Sequence, residues 1–228
     1  MKFSDEIIEA LSIDCVVFGF KNAALSVLLV KHNQGVTKGQ YALPGSWIKY
    51  NESIDDAAYR ILTAQTSVKN IYLEQLQAFG DTNRFPHKRV ITVCYYALVN
   101  IENFELHAGS SVSEVAWFTM SNIPKMAFDH NKIVNKCFTH LQHKVRQEPI
   151  GFNLLPKKFT LLHLQELYEA ILNQKLDKPN FRRKLMKMNL LVSCNETQKD
   201  VSHRAAQLYR FDKKVYDRLI ERGFSFEI

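Results

Sequence analysis

The chain has 228 residues, 46% of them hydrophobic, with 30 Lys and Arg against 23 Asp and Glu and a formal net charge of +7 at pH 7. That apolar content sustains packed cores and excludes a disordered chain, and the length fits one large domain or two modest ones. No apolar run approaches the ~20 residues that cross a bilayer, and the start, MKFSDEIIEALSID, is acidic and amphipathic where a secretory leader is basic and then apolar, so a soluble, cytoplasmic protein with no membrane partner is expected.

Ile13 to Phe20 (IDCVVFGF) and Leu25 to Val30 (LSVLLV) are rich in β-branched residues and flank the polar KNAA, which predicts paired strands. Ser53 to Gln65 sets Ile54, Ala57, Ala58, Ile61 and Leu62 on one helical face, with Ser53 available as N-cap. Further strands are expected around Tyr72 to Phe79, Val90 to Val99 and Glu114 to Phe118. A second helix is expected from about Asp129 to Lys144, with Ile133, Val134, Cys137 and Leu141 as its apolar face. Strands with two helices make an α/β sandwich. Gln147 to Lys158, QEPIGFNLLPKK, then reads as a linker because it places Pro149, Gly151 and Pro156 between two helical patterns. The expected domains are 1–149 and 150–228. Cys15, Cys94, Cys137 and Cys194 are scattered and read as reduced thiols, with no structural metal and no cofactor implied.

The excess charge is concentrated behind the linker. From Ile150 to Ile228 there are 15 Lys and Arg against 9 Asp and Glu, a net of +6, whereas residues 1–149 carry only +1. A compact basic segment fits a polyanionic partner, since neutralising phosphates releases counterions; a merely soluble basic surface is the alternative. TLLHLQELYEAILNQ predicts a helix with Leu164, Leu167, Tyr168, Ile171 and Leu172 on its buried side. After NQKL, the stretch DKPNFRRKLMKMN predicts a second helix capped by Asp177, with Pro179 in its first turn. Phe181, Leu185 and Met188 point inward, and Asn180, Arg183, Lys184 and Lys187 line the other face, with Arg182 beside them. Two short helices with a basic stripe on the second suit a helix-turn-helix. LLVSC and QLYRF then flank a polar loop with Lys199, His203 and Arg204, laid out like a wing. Asn180 and Arg183 are candidates for base edges, and the lysines for phosphates.

GSWIKYNESIDDAAYRILTAQTSV, residues 45–68, resembles the Nudix box of pyrophosphate hydrolases, in which a glycine, a glutamate, and an arginine followed by three further glutamates are spaced along a loop and helix. Aligned on Arg60, the box glycine falls at Ser46 and its first glutamate at Glu52. The three metal-binding glutamates fall on Ile61, Ala64 and Gln65. None of these supplies a carboxylate to a hard cation, so the resemblance implies a kept fold without catalytic residues. Glu52, Asp55 and Asp56 remain nearby; they read as structural, with Arg60 tying the box loop to its helix through Glu52. Residual hydrolysis of a nucleoside diphosphate derivative through Glu52 and Asp56 is the enzymatic alternative.

LSVLLVKHN, YALPGSWI and EVAWFTMSNIP extend the likeness over the first domain. FTLLHLQELYEAIL, LDKPNFRRKL and AAQLYRFD, together with GDTNRFPHKRVITVCYYALV, resemble the Nudix-related transcriptional regulators, which join a degenerate Nudix domain to a C-terminal winged helix. The resemblance implies a Nudix-like α/β/α sandwich with a mixed sheet, then a winged helix-turn-helix domain. It further implies a homodimeric repressor that binds operator double-stranded DNA, released by a small effector: L-arabinose in the branch this chain looks most like, ADP-ribose in others. A nucleic-acid-binding adaptor without any effector is a third reading. Lys31, His32, Trp47, Lys49, Asp81, Arg84, Arg89, Asp129 and His130, near strand ends, are candidates for an effector pocket, where directed polar groups and an aromatic ring recognise a sugar.

Overall fold

The computed structural model describes residues 7–86, 88–199, 204–222, 224 and 226. Two compact units form. Described residues up to Gly19 join Ser26–Phe138 in the first; Phe20–Leu25 and those from Thr139 onward make the second. The expected boundary at 149/150 lies just past the end of the helix His130–Gln147, whereas the units part inside that helix.

β1 (Ile7–Lys21) and β2 (Ala24–His32), most of whose residues lie in the first unit, turn through Asn22 and Ala23, both at positive φ, the twist that a tight hairpin needs. β1 starts six residues earlier than its apolar run. Its first half is recruited by β4 (Gly45–Lys49), with pairs from Ile7↔Lys49 to Asp14↔Gly45 and a register shift between Ile7 and Ser12. β3 (Tyr41–Ala42) and β4 were not foreseen as strands, being too short to show a period. β5 (Glu74–Phe79), β6 (Ile91–Asn100) and β7 (Val112–Thr119) fall where expected. Among the described residues the sheet runs β3-β2-β1-β6-β5, with β4 on β1 and β7 on β2. β4 on β1, β3 and β7 on β2, and β5 on β6 all pair antiparallel, and a parallel bridge joins Tyr41 to Met126.

From Ile13 to Phe20 β1 is apolar apart from Asp14 because both of its faces are covered there. Ile13, Cys15 and Val17 pack with Ala57, Ala58, Ile61 and Leu62 of α1 (Ile54–Thr66). Phe18, on the other face, meets Phe138 of α2 (His130–Gln147) at 6.5 Å between ring centroids. Helix α1 begins at Ser53, whose hydroxyl accepts from the Asp56 N–H at 3.0 Å, and ends with Ser67 at φ 63°. Its left-handed backbone closes the helix, with the Ser67 N–H donating to the Thr63 carbonyl.

The second unit contains α3 (Leu161–Leu172), α4 (Lys178–Lys187), the hairpin β8 (Leu191–Thr197) and β9 (Gln207–Phe211), and α5 (Lys213–Ile220). The chain leading to α3 is no free linker. Residues Pro149–Leu154 form a 3-10 turn with Pro149, Gly151, Phe152 and Leu154 buried, because an apolar stretch finds cover in the core. Phe152 stacks on Phe211 with centroids 4.4 Å apart, and the backbones of Phe159 and Tyr209 exchange hydrogen bonds of 2.9 and 2.8 Å. Leu164, Leu167, Tyr168, Ile171, Phe181 and Leu185 fill the space between α3 and α4, as their spacing predicts. Met188, expected inward, is only half-buried at the α4 C-cap. Among the described residues no helix is long and apolar enough to cross a membrane.

Candidate functional site

A cavity of about 270 Å³ opens in the first unit, near the size at which small-molecule pockets begin. Its charged floor comes from three elements. Asp14 stands on β1, Arg84 in the loop after β5, and His130 at the start of α2. Arg84 grips Asp129 with two bonds, from Nε at 3.1 Å and Nη2 at 2.9 Å, and its Nη2 lies 3.4 Å from Asp14 Oδ2. His130 Nδ1 accepts from the Leu43 N–H at 3.0 Å, so its remaining nitrogen Nε2 carries the proton toward Asp14 Oδ1, 3.5 Å away. The arginine is thus matched by carboxylates while nearly sealed from water, which is the condition for a buried charge to persist.

The wall is aromatic. Trp47 and Phe85 meet edge to face at 5.9 Å, Phe85 and Phe128 lie 4.7 Å apart, and Phe128 contacts His130 at 5.8 Å. Phe128 takes φ 52°, an uncommon conformation for a bulky side chain, and its ring closes this series. The Lys88 ammonium lies 4.4 Å over the Trp47 ring. His32 hydrogen-bonds Thr37 at the rim; burial pushes its imidazole pKa below the ordinary value, His130 adds to this, and Asp14 opposes it.

Trp47, Arg84 and His130, with His32, are therefore brought to one cavity, and Asp129 stands behind Arg84. The other expected pocket residues are not. Lys31 reaches the Tyr41 ring, since successive strand side chains alternate and His32 takes the inward place. Lys49 donates its N–H to Glu52, Asp81 pairs with Lys132 on the exposed surface, and Arg89 bonds the Gly80 carbonyl. Sequence reasoning passed over Asp14, although a lone acid in the apolar run Ile13 to Phe20 was the signal. Phe85 and Phe128 gave none, and Gln65 was marked only by its place in the box.

The carboxylates left in the box are committed elsewhere. Arg60 clasps Glu52 through Nε at 2.7 Å and Nη2 at 2.6 Å and reaches the Trp47 carbonyl at 3.0 Å; this bonding keeps the Glu52 carboxyl below the usual range. Asp55 accepts from the Tyr95 hydroxyl, and Asp56 from the Ser53 hydroxyl at 2.7 Å. Ile61 is 1% exposed in the α1 core. Among the described residues no group of three or more His, Cys, Asp or Glu is placed to hold a metal ion.

In the second unit the outward face of α4 is cationic. Asn180, Arg183, Lys184 and Lys187 are exposed, and Arg183 Nη2 donates to Asn180 Oδ1 at 2.8 Å, aligning the two side chains. Arg182 departs from the expected outward set: it is half-buried, with Nε enclosed and unpartnered, because it borders the face of Phe181 and Leu185. Lys199 and Arg204 are exposed beside the hairpin, and His203 lies outside the described residues. The turn into α4 is tied by Glu169. It accepts from Lys175 Nζ at 2.7 Å, Gln165 Nε2 at 2.8 Å and the Leu176 N–H at 3.1 Å, and the first two bonds pull its pKa down to about 2.

Residues 9–137 match the NUDIX domain model, and residues 151–211 match the NrtR DNA-binding winged helix domain model. The chain belongs to the NrtR-like family of Nudix-related regulators. Across 91% of its length it is 31% identical to the ADPR responsive transcriptional repressor NtrR of Acinetobacter baylyi, covering 84% of that protein. Shewanella oneidensis NrtR, crystallised with a 27mer DNA, is similar with a TM-score of 0.79 and 28% identity, over 95% of this chain and 97% of that one. The NUDIX domain of the same protein, crystallised with ADP ribose, matches at 30% identity and TM-score 0.55, over 59% of this chain and 89% of that domain. In this chain Arg60 is paired with Glu52, Ile61 is packed in the core and Gln65 bonds the Gly45 backbone.

Proposed function

We propose that the protein is a ligand-responsive transcription repressor that grips operator duplex with α4 and the β8–β9 wing and is released when an effector enters the ring-walled cavity of the first unit. The observation that carries this reading is the exposed α4 face, where Asn180 and Arg183 are aligned beside Lys184 and Lys187. Arginine and asparagine read purine edges in a major groove, and lysines fix register on phosphates. Lys199 and Arg204 extend the cationic surface. Two copies are required, since one short helix reads too few base pairs and a palindrome needs two readers ~34 Å apart.

ADP-ribose is the effector we assign, in place of the pentose expected from the sequence resemblance. Support comes from the relatives, one a repressor named for its response to ADPR and one a NUDIX domain crystallised with ADP ribose. The Trp47, Phe85 and Phe128 rings suit an adenine or a sugar face. L-arabinose stays as a second reading on one observation: among the described lining residues the single guanidinium, Arg84, is already matched by Asp14 and Asp129, which favours hydroxyls over a diphosphate. Catalysis is not part of the proposal, because Glu52, Asp55 and Asp56 are each spent on a structural bond.

The test is a mobility shift on duplexes selected from the source genome. ADP-ribose should dissociate the complex at concentrations that also raise the melting temperature. Release by L-arabinose alone would move the assignment to the pentose, release by neither would remove the sensor, and magnesium-driven cleavage of ADP-ribose would return the protein to the hydrolases.

A further inference from the structure

Gln65 occupies a box position where the resemblance places a metal-binding glutamate, and the structure gives it another task. Its Oε1 accepts from the Gly45 N–H at 3.0 Å, and its Nε2 donates to the Gly45 carbonyl at 2.9 Å. One amide therefore satisfies both backbone groups of one residue, tying the last turn of α1 to the start of β4. Gly45 is paired with Asp14 in the β1–β4 register, and it packs so closely that a Cβ there would stand 2.3 Å from Asp14 Oδ1 and 2.8 Å from the Ile13 carbonyl oxygen. Gln65, Gly45, Trp47 and Asp14 all line the cavity.

We infer that the Gln65 amide is a positioning residue of the effector cavity, setting Gly45 against the Asp14 carboxylate and standing the Trp47 wall upright, and that only a group able both to donate and to accept can serve there. The inference rests on the cavity being the effector site, as proposed above. An ionised glutamate has acceptors only. It would keep the Gly45 N–H and turn an oxygen onto the Gly45 carbonyl, leaving that half-buried acceptor without its donor. The loss of the box glutamate is on this view a gain of function: the change that removes a metal ligand supplies a two-way bond for the sensor.

A protonated carboxyl can donate and accept, so Gln65→Glu should behave as a pH-dependent allele. The groups facing the position are Asp14 on β1, His32 on β2, Arg84 in the loop after β5 and His130 on α2. Wild type carries all four, so the ratio of variant to wild-type affinity isolates the introduced carboxyl. Binding of ADP-ribose and of L-arabinose to the full chain is measured by calorimetry from pH 5 to pH 8. For whichever ligand binds, the variant should be about ten-fold or more weaker at pH 8 and should approach wild type as the pH falls. Gln65→Ala should be weak throughout. A variant indistinguishable from wild type at pH 8, or a deficit that does not shrink on acidification, overturns the inference. Hydrogen exchange of the Gly45 amide in unmodified protein decides the bond itself, even if the variants do not fold: strong protection supports it and coil-like exchange overturns it. If neither ligand binds wild type, the proposed function falls, and the strap is judged on Gly45 exchange alone.

Discussion

Asp14 and Arg84 show how a cavity is built from groups that would be costly alone. Both are buried, at 5% and 7% exposure, and each is tolerated because the other is there, with Asp129 and His130 completing the network. Removing one partner of such a pair leaves an uncompensated charge, at a cost of about 3–5 kcal/mol. Arg84→Ala should therefore lower the unfolding free energy by about that amount in denaturant titrations, and should abolish the effector response together with it. A loss below ~1 kcal/mol would show that Asp14 finds another partner or water.

At the scale of elements, the helix-turn-helix depends on Glu169 as much as on its apolar core. The carboxyl is held at about 2 by Lys175 and Gln165, below its ordinary value near 4.5. A depressed carboxyl contributes stability that is fully present above the unfolded value and is lost as the pH falls through the folded one. Thermal melts should thus show a loss between about pH 4.5 and pH 2 that is missing in Glu169→Gln, which should also be less stable at neutral pH. Helix α4 divides by face. Arg183→Ala should cost about 1–3 kcal/mol on the preferred operator and relax choice at one base position. Lys187→Ala should weaken all duplexes alike and reduce the salt slope by about one counterion. Binding titrations at several salt concentrations separate the two, and wild-type behaviour in both would mean that another surface meets the DNA.

For the whole molecule, two compact units with different charge serve different partners: a near-neutral α/β unit encloses a small cavity, and a basic unit presents α4. Light scattering should give a mass near twice 26.5 kDa; a monomer at micromolar concentration that still protects a palindrome would contradict the pairing of two readers. Effector control of the kind proposed requires that the ligand bind one arrangement of the readers better than another, since equal affinity shifts nothing.

Periodicity alone established the longer strands from Ile13 onward, helices α1 and α2, and the α3–α4 pair with its Asp177 cap, because each is a local pattern a few residues long; the absence of carboxylates at 61, 64 and 65 took its meaning from the resemblance to the box. Short β3 and β4 and the packing of residues 149–154 escaped it, since those segments are shaped by neighbours and not by their own repeat. Sequence reading named Trp47, Arg84, His130 and His32 for a pocket, but how the cavity is assembled belonged to tertiary structure. Asp14 and Arg84 are 70 positions apart, Gly45 and Gln65 are 20 apart, and no spacing rule relates them. Chain order dictates which face of a strand or helix is buried, but which remote polar groups share a low-dielectric space, and so which charges and amides must complement one another, was decided only when the sheet and its helices closed around them.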